Sequence, residues 1–140
     1  MRYGSLALGA ALYLGALASA RAHHSFSAEY DREKPVTLTG AVTKLEWTNP
    51  HARIYVDVKD ESGNVVNWDC ELGPPNGLMR QGWNRNSLKA GQIVTINGFL
   101  SKEEPYVANA RSVFLPDGRQ VFTGSSFDTQ STVAEPVVAK

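Results

Sequence analysis

The chain has 140 residues, in which 14 Lys and Arg balance 14 Asp and Glu, and 42% of it is hydrophobic. That length supports one domain. Charge balance excludes a nucleic-acid binder held by bulk electrostatics, and the apolar content excludes a disordered chain. A single cysteine, Cys70, excludes an intrachain disulfide and any multi-cysteine zinc module.

Residues 1–22 have the pattern of a cleavable signal peptide. Met1-Arg2 gives a positive start, an apolar stretch runs from about Leu6 to Ala18, and Ala20-Arg21-Ala22 is a small-x-small cleavage site. The apolar stretch is too short to remain as a membrane anchor. The expectation is therefore a periplasmic or secreted protein cut between Ala22 and His23, with no stable membrane anchor afterwards. Cleavage would leave 12 basic and 14 acidic residues over 118 positions, and it would make His23 the first residue, with His24 beside it.

Residues 23–34 read as a polar arm, which Phe26 and Tyr30 could pin to the body. From Pro35 the pattern becomes β: Val36, Leu38, Gly40 and Val42 keep a period of two. The parity then slips to Leu45 and Trp47, which predicts a bulge near Thr43-Lys44 in a long, bent first strand. Asn49-Pro50 breaks it. Ile54, Val56 and Val58 form the inward set of a second strand, with Arg53, Tyr55, Asp57 and Lys59 outward.

A hairpin loop at Asp60–Asn64 leads to a third strand with Val66, Trp68, Cys70 and Leu72 inward and Asn67, Asp69 and Glu71 outward. Cys70 reads as a small buried hydrophobe. After Gly73-Pro74-Pro75, Asn76 is placed to cap a short helix over Gly77–Trp83, with Leu78, Met79 and Trp83 available to cover a core. Further strands are predicted over Gln92–Leu100, Val107–Leu115 and Gln120–Phe122.

This order predicts an all-β fold, a small OB-like β-barrel of five to six strands with one short helix between strands 3 and 4. The domain would occupy residues 35–122, with 123–140 a loose tail. An open β-sandwich or roll with the same strand count is the rival architecture.

The runs His23-His24-Ser25-Phe26, Val36-Thr37-Leu38-Thr39-Gly40 and Glu46-Trp47-Thr48-Asn49-Pro50-His51 resemble the DUF6152 family of small exported bacterial proteins. Gly82-Trp83, Ser87–Gly91, Ala108–Val113 and Leu115–Arg119 fit the same pattern. The resemblance implies export and a compact β fold, and it implies no reaction. One departure is Ala52, which follows His51 where a larger residue is expected.

Three sets of residues could carry chemistry. The histidines fall in two places, His23-His24 and His51. A terminal His23 would offer its α-amine and its ring Nδ1 in one chelate, and His51 would add a third nitrogen. That roughly planar donor set suits Cu(II) better than zinc. The amine, the intervening amide and the ring of His24 could also bind Cu(II) without His51. The plainer possibility is that the histidines are incidental and His51 only bonds within its turn.

The second set is aromatic: Trp47, Tyr55, Trp68 and Trp83, where outward rings could bind a periplasmic protein or a small ligand. Trp68 and Trp83 read as core, and export with a slightly negative charge argues against nucleic acid. The third set is the paired carboxylates Asp69/Glu71, Asp60/Glu61 and Glu103/Glu104, which read as solvated faces. No nucleophile motif or phosphate-binding glycine loop is present in the sequence. The expectation is a non-catalytic binding or accessory protein.

Overall fold

Alternating apolar and polar side chains can satisfy both the core and the solvent only as extended strands, and strands dominate the computed structural model, which describes residues 26–124. The expected signal segment, His23, His24 and residues 125–140 of the expected tail lie outside the described residues. The elements in chain order are α1 (Phe26–Glu29), β1 (Tyr30–Glu46), β2 (Arg53–Lys59), β3 (Val65–Glu71), α2 (Pro75–Arg80), β4 (Ile93–Ser101), β5 (Val107–Phe114) and β6 (Gln120–Thr123).

Strand β1 pairs antiparallel with both β2 and β4, β2 with β3, β4 with β5, and β5 with β6. A parallel pairing of Asp69–Glu71 with Val107–Asn109 joins β3 to β5. The pairings thus close a ring, β1-β2-β3-β5-β4-β1, with α2 between β3 and β4. This is the all-β, OB-like order that the sequence predicts, and β6 extends it as a sixth strand.

The long first strand serves both neighbours. Its residues Pro35–Ala41 pair with β4 and Gly40–Glu46 pair with β2, so Gly40 and Ala41 are paired on both edges. The crowding there explains the glycine: a Cβ on Gly40 would lie 2.2 Å from the Asp57 carbonyl oxygen. The register slips between Val42 and Lys44, the predicted bulge, and the Thr43 hydroxyl donates to the Tyr55 carbonyl at 3.2 Å.

The core fills the inside of the ring with Leu38, Val42, Ile54, Val56, Cys70, Val94, Ile96, Ala108 and Val113. Leu78, Trp83 and Leu88 also belong to this core. The Trp83 indole donates to the Val121 carbonyl and packs edge-on against Phe122, with ring centres 5.8 Å apart.

Three expectations change. The first strand begins at Tyr30 rather than Pro35, because the arm pairs with β4 as far back as Tyr30 opposite Ser101. The helix spans Pro75–Arg80 rather than Gly77–Trp83, and Asn76 does not cap it. Proline at its first turn loses nothing, since that N–H has no helical partner. Met79 is 53% exposed and does not cover the core.

Cys70 is fully buried, as expected, and burial pushes its thiol up to about 12. The native protein is expected to leave a thiol-reactive aromatic disulfide unconsumed at pH 8 and to react once unfolded in denaturant; rapid native reaction would contradict this burial. The unfolded thiol ionises near pH 8.5 while the folded one stays neutral, so this group's contribution to stability falls as pH rises from about 9 to 12.

Candidate functional site

A strand that alternates strictly would turn Asp69 and Glu71 to water. Instead Glu71 is 6% exposed and Asp69 is half-buried. The reading of this pair as a solvated face is therefore overturned. For Glu71 the cause is the N-terminal arm. Tyr30 is buried and its phenol donates to the Glu71 carboxylate. Phe26 packs on Tyr30 with ring centres 5.5 Å apart, and edge-on against Phe99 at 5.9 Å. The arm is pinned by the two aromatics that the sequence marked for that role.

A carboxylate placed in such a setting needs partners. Arg53 stands directly across from Glu71 in the β2–β3 register. Its guanidinium donates to Asp69 Oδ2 at 2.7 Å and to Glu71 Oε2 at 3.2 Å. Asn109 on β5 adds an Nδ2 donor 3.5 Å from Glu71 Oε1.

Burial works against the Arg53 charge, but the two carboxylates outweigh it and hold its pKa above the ordinary value. Burial raises the Asp69 carboxyl against the pull of Arg53, with Glu46 and Glu104 adding to the rise. Burial and the Glu71 charge together keep the Tyr30 phenol protonated well beyond its usual range.

His51 joins this network from outside the strands. Past Arg53, the β2–β3 ladder continues through two more bonds: Ala52 N–H to the Gly73 carbonyl at 3.1 Å and Leu72 N–H to the Ala52 carbonyl at 2.8 Å. Ala52 is fully buried there. The arrangement sets the His51 ring beside Glu71, with Nδ1 3.2 Å from Oε1 and the side chain 41% exposed. The His51 ring therefore faces a carboxylate of β3 rather than a partner within its own turn. A cavity of about 190 Å³ opens here, lined by Phe26, Tyr30, His51, Glu71, Asn109 and Gly124 among others.

A second cleft of about 410 Å³ is lined by Tyr30 together with Glu29, Arg53, Glu103 and Glu104. Glu103 and Glu104 there are exposed.

Of the three candidate metal ligands, His51 is the one among the described residues. Within those residues no three His, Cys, Asp or Glu side chains gather at metal-binding spacing. The aromatic set divides. Trp83 is buried, Trp47 and Trp68 pack half-buried against the core, and Tyr55 lies on the outer face with Lys44 Nζ 5.4 Å from its ring centre. Tyr106, which the sequence did not single out, is 53% exposed and stands edge-on to Trp68 with ring centres 5.6 Å apart.

Tyr30, Arg53, Glu71 and Asn109 were also missed as site residues. The available signal was an arginine opening one strand and two alternating acids closing its neighbour, an arrangement that pairs charges only when the strands are antiparallel and in this register.

No curated protein matches the chain at a significant level. A model described as a family of unknown function, DUF6152, matches residues 12–107, most of the chain. The chain belongs to the DUF6152 family.

Proposed function

We propose that this is an exported, non-catalytic accessory protein that holds or hands over Cu(II), or a similar divalent ion, through His23 and His51, with His24 as a further candidate ligand. The observation that carries the reading is that Phe26 and His51 line the same cavity. His23 is three residues before Phe26, and an extended chain covers at most about 3.6 Å per residue, so its α-carbon lies within about 11 Å of that of Phe26. A tether that short supports the histidine pair as candidate partners of His51.

The donor chemistry fits. Signal cleavage after Ala22 would free the His23 α-amine, whose ordinary pKa of about 7.7–8.0 lets a metal displace its proton near neutrality. Amine, His23 ring and His51 ring then supply three nitrogens, a set that favours copper in the order of divalent affinities.

Calorimetric Cu(II) titration tests the reading. A chain beginning at His23 is expected to bind one equivalent at least about tenfold more tightly than the same chain with its α-amine acetylated, since acetylation removes the amine ligand. Equal binding, micromolar or weaker in both, would overturn it.

A second reading is favoured by Tyr106. Its exposed ring, set against Trp68 at the β4–β5 turn, offers an aromatic surface for a periplasmic protein or small ligand. Under that reading the histidines are incidental, and Cu(II) binding is weak in both chains.

A further inference from the structure

The pair formed by His51 and Glu71 has a directional consequence. A neutral imidazole has one N–H donor and one acceptor nitrogen, and which is which depends on the partner that each nitrogen meets. His51 Nδ1 meets Glu71 Oε1 at 3.2 Å. Every other partner described for that carboxylate is a donor: the Tyr30 hydroxyl, Arg53 Nη2 at 3.2 Å on Oε2, and Asn109 Nδ2 at 3.5 Å on Oε1. Surrounded by donors, the carboxylate acts as acceptor alone, and its charge 3.2 Å from Nδ1 favours the ring hydrogen on that nitrogen over Nε2.

Glu71 is also fixed in place. It is 6% exposed, and its two oxygens are held from β2 and β5 while Tyr30 bonds from β1. The imidazole, by contrast, keeps 41% of its side chain open.

We infer that Glu71 is a positioning residue that holds His51 as the Nδ1–H tautomer, so that the Nε2 lone pair is the atom offered to a ligand. The ligand class for such an atom is a borderline divalent cation, and a carboxylate behind the ligating ring raises the basicity of the nitrogen in front. The identification of that cation as copper rests on the function proposed above. The tautomer does not, and the two can fail separately.

The test is long-range proton–nitrogen NMR on the metal-free, nitrogen-15-labelled chain beginning at His23, at a pH where imidazole is neutral. The expected spectrum shows His51 with a protonated Nδ1 and an unprotonated Nε2. A protonated Nε2, or the averaged pattern of a free histidine, would overturn the inference.

Glu71→Ala is expected to return His51 to the averaged pattern and to weaken Cu(II) binding about 10- to 100-fold. Glu71→Gln is expected to restore most of both, because the amide oxygen can present the same acceptor to Nδ1. An unchanged His51 spectrum in a folded Glu71→Ala protein would overturn the inference, and if neither variant folds the wild-type spectrum decides. A held tautomer with no Cu(II) binding would support the role of Glu71 while removing the copper reading.

Discussion

Replacing Arg53 with methionine is expected to destabilise the protein by about 2–4 kcal/mol at neutral pH. Breaking a fully buried ion pair by removing one partner costs about 3–5 kcal/mol. The estimate here is lower because 31% of the Arg53 side chain still meets water. The loss is large because one guanidinium serves two acids, Asp69 at 2.7 Å and Glu71 at 3.2 Å. Asp69 Oδ1 is already buried without a hydrogen-bond partner, so no spare donor is in place to compensate.

The pH dependence of that loss has a definite sign. Burial already raises the Asp69 carboxyl above its ordinary value against the pull of Arg53, and Arg53→Met removes that pull. A group whose folded pKa is raised binds its proton more tightly when folded, so its penalty is largest above the folded pKa and fades as pH falls through it. Urea unfolding of wild type and variant at pH 7.5 and at pH 5 checks this. The gap between them is expected to narrow at the lower pH. Equal midpoints for the two proteins at pH 7.5 would show that the network contributes nothing.

Gly98→Ala should cost about 3 kcal/mol or more, at the upper end of overpacking substitutions. A Cβ at this position would sit 2.1 Å from the Asn109 carbonyl oxygen and 3.0 Å from its carbon. Both atoms are backbone, so no rotamer change relieves the clash. Gly98 lies where the β4–β5 register slips, opposite Ala110, and it pairs on its other edge with Val36. The ring of strands would have to open at that point.

For a domain of this size the loss corresponds to a fall in melting temperature of at least about 12 °C. Gly63→Ala is the control. Gly63 has a φ of 85° and nothing within 4 Å of an added Cβ, so only backbone strain opposes the change, about 1–2 kcal/mol. Thermal unfolding followed by circular dichroism compares them, and equal shifts would contradict the steric account. Because Asn109 also bonds Glu71, Gly98→Ala is expected to disturb His51 as well.

The fold was legible in the sequence because its signals are local. Val36-Leu38-Gly40-Val42 and Ile54-Val56-Val58 announce strands through their period, and the parity slip before Leu45 announces the bulge between Val42 and Lys44. The helix start was misplaced because Asn76 resembles a cap, whereas Pro75 already fits the first turn.

The site was legible only in part. His51 stood out as a residue type, but its partner lies 20 positions further on, through a β2–β3 register that no local pattern records. Glu71 was misread because period two assigns it to the outer face correctly, while the covering of that face depends on Phe26 and Tyr30 returning from the arm. Those two aromatics were visible, and what they cover was a tertiary fact.

The central claim is that His51 joins the bared end of the arm around one metal ion. Electron paramagnetic resonance of one equivalent of Cu(II), bound to the nitrogen-15-labelled chain beginning at His23, tests it most directly. The account predicts hyperfine coupling to three nitrogens in the wild type and to two in His51→Ala. Identical spectra from the two proteins would contradict it.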